Sequence, residues 1–252
     1  MEVLLDLEPD AVLSIGGQWI SKKPKQHLRA LEIKKHVHID IFQCWDVLDA
    51  EVLHLRMAPN ALAVWKSAPE FICISYESPV SKPVPWSDAA AFQAVVSKLK
   101  TTDVLHLGNS SIVRYFNYFP KAVQLYGNRG VAGIDGSLST AVGAALADPD
   151  RKHFLIIGDQ SFLYDHNGLY GQKIPQNLII CVLNNGVGGI FDWLPGTAST
   201  GPTAQRVFAN AQHVNLKGIA SAFSVGYQAV SSVEALVEAL DTAVGPKIID
   251  SK

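Results

Sequence analysis

Two apolar runs constrain this chain more than any other feature. HFLIIGD (153–159) and NLIICVLNN (177–185) are strand-length, unbroken in their hydrophobicity and finished by an oxygen-bearing side chain. A strand with one face in water alternates polar and apolar residues. These two do not, so both faces are expected to be buried, as in a parallel sheet covered by helices. Asp159 and Asn185 stand 26 positions apart. That is room for a crossover helix and a return strand, so both oxygens are expected at the same, carboxyl edge of the sheet.

The rest of the chain repeats the alternation. AVLSIGG (11–17), a helical pattern from Ser21 to Leu31 and HVHIDI (36–41) read as strand, helix and strand. ESPVSKPVPWSD (77–88) carries three prolines and reads as an interdomain linker, with Asp88 expected to cap a helix running to about Leu99. DVLHLGNSS (103–111) and AVQLYGNRG (122–130) read as strand and turn, and IVRYFNYF between them as helix. GIDGSLSTAVGAALA (133–147) is a helix of small residues suited to close packing. SVGYQAV, SSVEALVEAL with its Ser cap, and PKIIDS finish the chain as strand, helix and strand. Such a pattern implies an α/β fold with a parallel sheet and helices on both faces. In these sheets ligands bind outside the carboxyl ends of the strands. The turns expected there, IGGQWISKK, LGNSS, YGNRG, IGDQS and LNNGVGG, are all polar or glycine-rich. βα turns favour such residues in any case, but five together point to a site.

Composition narrows the class. Hydrophobic residues make up 48% of the 252 and charged residues 17%. The low charged share points to a surface partly covered by another chain. A formal net charge of −2 gives no reason to expect nucleic acid. Cys44, Cys73 and Cys181 are odd in number and widely spaced, which fits a reducing compartment. The N-terminus lacks the basic segment of a signal peptide, and no apolar run is long enough for a membrane span. A cytoplasmic protein is expected. His36 and His38 alternate on a strand, a weak metal signal without a third ligand.

Asp159 and Asn185 offer hard oxygens of the kind that suit Mg²⁺ (or Mn²⁺), which binds through one or two protein groups plus substrate phosphates. One carboxylate is a poor site alone, so a diphosphate is expected to complete the shell. Gly186, Gly188 and Gly189 let backbone approach closely, free N–H groups at a helix start can bind phosphate, and Ser161 can add a hydroxyl. On spacing alone, an N-capping Asp159 and an Asn-Asn-Gly turn read equally well. A Rossmann dinucleotide site is excluded, because IGGQWI lacks the G-x-G-x-x-G spacing.

Gly158-Asp159 followed by Asn184-Asn185 resembles the thiamin diphosphate binding motif, with Gln160 where its third glycine usually stands. GNSSIVR, YGNRGVAGIDGSLSTAVGAALA, GDQSFLYDHNGL and NNGVGGIFDWLP, in this order, resemble the 2-succinyl-5-enolpyruvyl-6-hydroxy-3-cyclohexene-1-carboxylate (SEPHCHC) synthases of menaquinone biosynthesis. The resemblance is dense from Asp103 to Pro195. It is thinner from Pro9 to His38, where the chain is similar to the family's central domain. It implies a thiamin diphosphate-binding fold over 86–252, preceded by a partial, Rossmann-like central domain over 1–85. It also implies a carboligase that decarboxylates 2-oxoglutarate and adds the succinyl carbanion to isochorismate. Another thiamin diphosphate enzyme, such as a 2-oxoacid decarboxylase or an acetolactate synthase-like protein, and a non-catalytic remnant remain as alternatives.

By the same resemblance, Asp159, Asn185 and the backbone carbonyl of Val187 hold the metal. Val187 departs from the family's usual glycine. Ile134, Ser161 and Gly186 join Asp159 and Asn185 around the cofactor, with Ile134 the apolar residue that wedges it into a bent form; a core role suits Ile134 as well. Lys22, Ser110, Arg114, Arg129, Phe191 and Leu194 match substrate-side positions. Arg suits carboxylates through bidentate pairing, and both substrates carry several. For Lys22 and Arg114 a solvated basic face is the rival reading; for Phe191 and Leu194 it is core packing. The cofactor-activating glutamate of the family lies in a pyrimidine-binding domain given by a partner chain, and no glutamate here sits in a matching stretch. The chain is therefore expected to be the C-terminal part of a synthase, whole in a homo-oligomer and inactive alone, with no catalytic residue of its own.

Overall fold

The structure is a computed structural model. It describes residues 9–17, 19–20, 22–44, 47–64, 85–171 and 173–252. The chain divides into two compact units, Met1–Ser78 and Pro79–Lys252. Of the proline-rich linker segment, residues 77–84 lie outside the described residues, as does Cys73. No described helix is long and apolar enough to cross a membrane.

The smaller unit runs β1 (Ala11–Ile15), α1 (Lys22–Ala30), β2 (Lys35–Ile39), β3 (Glu51–Leu55) and a 3-10 turn (Pro59–Val64). Its three strands form a parallel sheet in the order β1-β2-β3. Leu28, Ile33 and Leu48 make its core, with Val12, Trp19, Leu31 and Val47 packed around them. β3 was not expected from the sequence: EVLHL is a short segment with no flanking glycine or proline signal to delimit it. The alternating histidines of β2 both turn inward, where the Ser14 hydroxyl meets His36 Nε2 at 2.6 Å and His38 Nδ1 at 2.7 Å. Among the described residues no three His, Cys, Asp or Glu side chains are arranged to hold a metal ion.

The larger unit continues with α2 (Asp88–Lys98), β4 (Val104–Leu107), α3 (Ser111–Phe116), β5 (Gln124–Gly127), α4 (Ser137–Ala147), β6 (His153–Gly158) and α5 (Asp159–Asp165). After a 3-10 turn (His166–Leu169) come β7 (Leu178–Leu183), the short helices α6 (Ile190–Trp193), α7 (Pro195–Ala198) and α8 (Pro202–Ala209), then α9 (Leu216–Ala222), β8 (Gly226–Val230), α10 (Val233–Asp241) and β9 (Lys247–Ser251). All six strands are parallel, in the order β5-β4-β6-β7-β9-β8.

The expected burial of the two apolar runs is observed. β7 is buried at every position, and β6 at all but its last glycine. Phe154 and Ile156 of β6, with Ile179, Cys181 and Leu183 of β7, face one apolar cluster with Phe92 and Val95 of α2 and Leu236 of α10. Leu155, Ile157, Leu178, Ile180 and Val182 face the other, against Leu138 and Val142 of α4, Phe162 of α5 and Leu216 of α9. Helices thus cover both faces. α2 begins one residue earlier than a cap at Asp88 would require. Ser87 is the N-cap, its hydroxyl accepting from Ala90 N–H at 3.3 Å, and Asp88 is the first helical residue.

The strand order fixes where a ligand belongs. From β4 the chain first steps outward to β5, then returns to the other side of β4 as β6. Loops leaving β4 and β6 therefore diverge onto opposite faces and open a crevice at their carboxyl ends. β4 ends at Gly108-Asn109-Ser110, and β6 at Gly158-Asp159.

Candidate functional site

A cleft lies at this switch point. It encloses about 110 Å³ and is lined by residues from the ends of β4, β6 and β7, together with Ile134 and Asp88. That is below the ~300 Å³ of small whole-ligand pockets.

Ser110, Ile134, Asp159, Ser161, Asn185, Val187 and Phe191 all line this cleft. Gly186 sits in the turn behind it at φ +75°, a conformation that favours glycine. Leu194 ends α6 outside the lining residues. Lys22 opens α1 of the smaller unit, and its side chain lies outside the described residues.

Asp159 begins α5 and is only 3% exposed. Desolvation raises its carboxyl above the ordinary aspartate range, while the Gln212 amide and the Gln160 and Gly186 N–H groups pull the other way; the nearby Asp88 raises it further. Gln212 Nε2 donates to Asp159 Oδ2 at 2.6 Å. Asn185 donates from Nδ2 to Asp88 Oδ2 at 2.7 Å and accepts from Val187 N–H at 2.9 Å. Burial raises the Asp88 carboxyl too, against the Asn185 bond. Neither carboxylate has a cationic partner among the described residues.

This donor set fits a hard divalent cation. The buried Asp159, the half-buried Asp88 and the Asn185 amide share the cleft without a cationic side chain, and burying unpaired charge is costly; the Val187 carbonyl accepts from Gly189 N–H at 3.0 Å. Among the described residues no three His, Cys, Asp or Glu side chains are arranged to hold a metal ion, so a cation here would need further oxygens from a phosphate or water. Ser161 answers differently from the sequence expectation. Its hydroxyl donates to the Ile134 carbonyl at 2.5 Å, so it ties the Ile134 loop to α5 and has only lone pairs left to offer.

The substrate-side arginines come together beside the same turn. Arg129 Nη1 donates to Asn109 Oδ1 at 2.5 Å, and Arg114 Nη1 donates to the Ser110 carbonyl. Burial lowers the pKa of both guanidiniums, and Arg129 lowers that of Arg114 further by repulsion. Arg129 Nε is buried without a hydrogen-bond partner, and neither arginine meets a carboxylate among the described residues. Two cations without a carboxylate partner thus lie close together. Ser110 between them holds φ +67° and ψ −125°, a strained conformation for a side-chain-bearing residue.

Sequence reasoning missed Asp88 as a cleft residue, Gln212 and Asn109. Asn109 Nδ2 donates to the carbonyls of Asn128 and Gly133, joining the GNSS turn to the NRG turn. Its place in a polar strand-end turn was a usable signal; Gln212 had none. Asp165 also gains a function. It accepts from Ser139 N–H at 2.8 Å and Ser139 Oγ at 2.6 Å, capping α4 from a neighbouring helix. Gly168 passes so close that a Cβ there would lie 2.5 Å from Ser139 Oγ.

The family model for "Thiamine pyrophosphate enzyme, C-terminal TPP binding domain" matches residues 107–251. The chain belongs to this family. Its curated relatives include proteins named 2-succinyl-5-enolpyruvyl-6-hydroxy-3-cyclohexene-1-carboxylate synthase. That of Flavobacterium psychrophilum is 32% identical over 96% of this chain and 47% of its own length. That of Bacteroides fragilis is 34% identical over 96% of the chain and 45% of its own, and that of Desulfotalea psychrophila 32% over 88% and 42%. The chain spans a little under half the length of the curated relatives it matches.

Proposed function

We propose that this chain is the C-terminal part of a SEPHCHC synthase, which decarboxylates 2-oxoglutarate and joins the remaining four-carbon unit to isochorismate. One observation carries the reading: residues from four separate motif stretches line a single cleft at the sheet's switch point. Asp159, the Asn185 amide oxygen and the Val187 carbonyl hold Mg²⁺ against the diphosphate of thiamin diphosphate. Bound there, the cofactor supplies the carbon nucleophile that decarboxylation of a 2-oxo acid requires. Ile134 supports its ring. Arg114 and Arg129 take substrate carboxylates, and Ser110 orients them. Phe191 and Leu194 complete the substrate side in this unit, and Lys22 of the smaller unit is a substrate residue by the same family resemblance.

The chain's own residues thus anchor, orient and neutralise. The proton-handling glutamate of this family belongs to a pyrimidine-binding domain, and turnover requires that domain from outside these 252 residues, in a full-length homo-oligomer or a partner subunit. Calorimetry with thiamin diphosphate, with and without Mg²⁺, tests the cofactor site, and metal-independent binding would count against it. Product analysis with 2-oxoglutarate and isochorismate tests the reaction. Full-rate carboligation by the chain alone would overturn the requirement for the second domain. Release of a simple aldehyde in the presence of isochorismate would favour a decarboxylase instead.

A further inference from the structure

Asp88 is not one of the proposed metal ligands, yet it lines the cleft and touches one of them. It is the first residue of α2, 97 positions before Asn185, and its Oδ2 accepts the Asn185 Nδ2 proton at 2.7 Å. An asparagine amide is nearly symmetric in shape and opposite in polarity at its two ends. Only one orientation turns its oxygen to a cation. Rotated by half a turn, the amide would point N–H groups both at the metal and at Val187 N–H, which now donates to Asn185 Oδ1 at 2.9 Å. Oδ1 keeps a second lone pair after that bond.

We propose that Asp88 is a positioning residue of the cation site, accepting the Asn185 NH₂ so that Oδ1 is held toward the metal. The inference rests on the proposed cofactor reading and adds to it a group that fixes a ligand's orientation. A bond from a neutral amide to a carboxylate is stronger than one between neutral groups. Outer-shell partners of this kind change metal affinity by about 10–100-fold. The competing role for Asp88 is favourable placement at a helix start, which would affect α2 stability and leave metal affinity alone.

The test measures Mn²⁺ affinity of the full chain by electron paramagnetic resonance, with thiamin diphosphate present. Asp88→Ala is expected to weaken Mn²⁺ binding about 10–100-fold. Asp88→Asn, which keeps an acceptor oxygen for Asn185, is expected to recover most of that loss. Asp88→Ser keeps a helix-starting residue but falls short of Asn185, so it should behave like the alanine variant even if the latter folds poorly. In an Asn185→Ala background, removing Asp88 should have no further effect. A full tenfold loss in that background, or unchanged affinity in both Asp88→Ala and Asp88→Ser, would overturn the inference. Asp159→Ala separates the two levels: if it leaves Mn²⁺ binding intact, the cofactor reading itself fails, whereas loss in Asp159→Ala with none in the Asp88 variants sinks only the positioning role.

Discussion

Gln212 Nε2 donates to Asp159 Oδ2 at 2.6 Å across 53 positions of sequence. The same residue's backbone N–H donates to the Gly186 carbonyl at 2.9 Å. Its Oε1 accepts from Val214 N–H at 2.6 Å, which fixes the amide so that the donor end faces Asp159. One residue therefore braces both strand ends, its side chain at Asp159 and its backbone at Gly186. Gln212→Ala is expected to lower Mn²⁺ affinity by about tenfold, in the range of other outer-shell losses. Gln212→Glu, which brings a second negative group to Asp159, should trap a proton between the two carboxyls and weaken binding most at acid pH. Titrating metal into each variant in the presence of thiamin diphosphate checks both.

Asp159 also makes metal-free stability depend on pH. Desolvation raises its folded pKa above the unfolded 3.8, despite the bond from Gln212. The folded chain therefore keeps this proton to higher pH than the unfolded chain does. Stability is greatest below the unfolded value and falls as pH rises through the folded one. Asp159→Asn removes this loss, so its melting temperature relative to the parent should increase from pH 4 to pH 7 in chelator. Saturating Mg²⁺ and thiamin diphosphate should reverse the order at pH 7, because only the parent gains from binding. Thermal melts in the two media decide it, and identical pH profiles for parent and variant would exclude the effect.

Ser110 carries strain that glycine would relieve. At φ +67° and ψ −125° a residue with a Cβ is destabilised by about 1–3 kcal/mol, part of which glycine's greater unfolded-state freedom offsets. Ser110→Gly should therefore stabilise the chain by up to about 1 kcal/mol, while Ser110→Ala gains nothing. Both lose the hydroxyl, so both should weaken binding of a 2-oxo diacid to the cofactor-loaded, full-length protein. Urea midpoints separate the backbone effect, shown by glycine alone, from the side-chain effect, shared by the two variants.

What the sequence revealed follows the range of the forces involved. Continuous burial of 153–157 and 178–183 was legible because a parallel strand writes its environment into every residue. The strand ends at Asp159 and Asn185 were legible for the same reason. β3 was not, since a five-residue strand in a small sheet leaves a weak pattern. Of the short helices between 190 and 209, α6 and α7 are four residues each, too short to show an apolar period in the sequence. Gln212 and the cleft role of Asp88 were out of reach: each acts through a bond that closes a loop of 53 or 97 residues, and neither neighbourhood hints at its partner. Asp88 did carry the local signal of a helix start, which accounts for its backbone position but not for its side chain.

A pair of buried histidines in the same unit should make the fold acid-sensitive. His106 is 4% exposed; its Nε2 lies 3.0 Å from His153 Nδ1, and its ring stacks between those of His153 and Tyr126. His153 Nε2 lies 3.6 Å from Asp148 Oδ2, outside hydrogen-bond range, and is buried without a hydrogen-bond partner. Burial, reinforced by repulsion from His153, pushes the His106 pKa down from 6.5 to about 4. An unfolded chain takes up the proton near pH 6.5, and the folded one does not until about pH 4. Stability is therefore lost as pH falls across that window, by up to about 3 kcal/mol at 1.36 kcal/mol per unit. The raised carboxyls Asp88 and Asp159 have the opposite slope, so the histidine effect must be read as a difference between proteins. His106→Phe keeps the stacked ring and removes the titration. Measured by urea unfolding at pH 7, 5.5 and 4, the parent should lose stability relative to this variant as the pH falls, and parallel curves would place the acid sensitivity elsewhere.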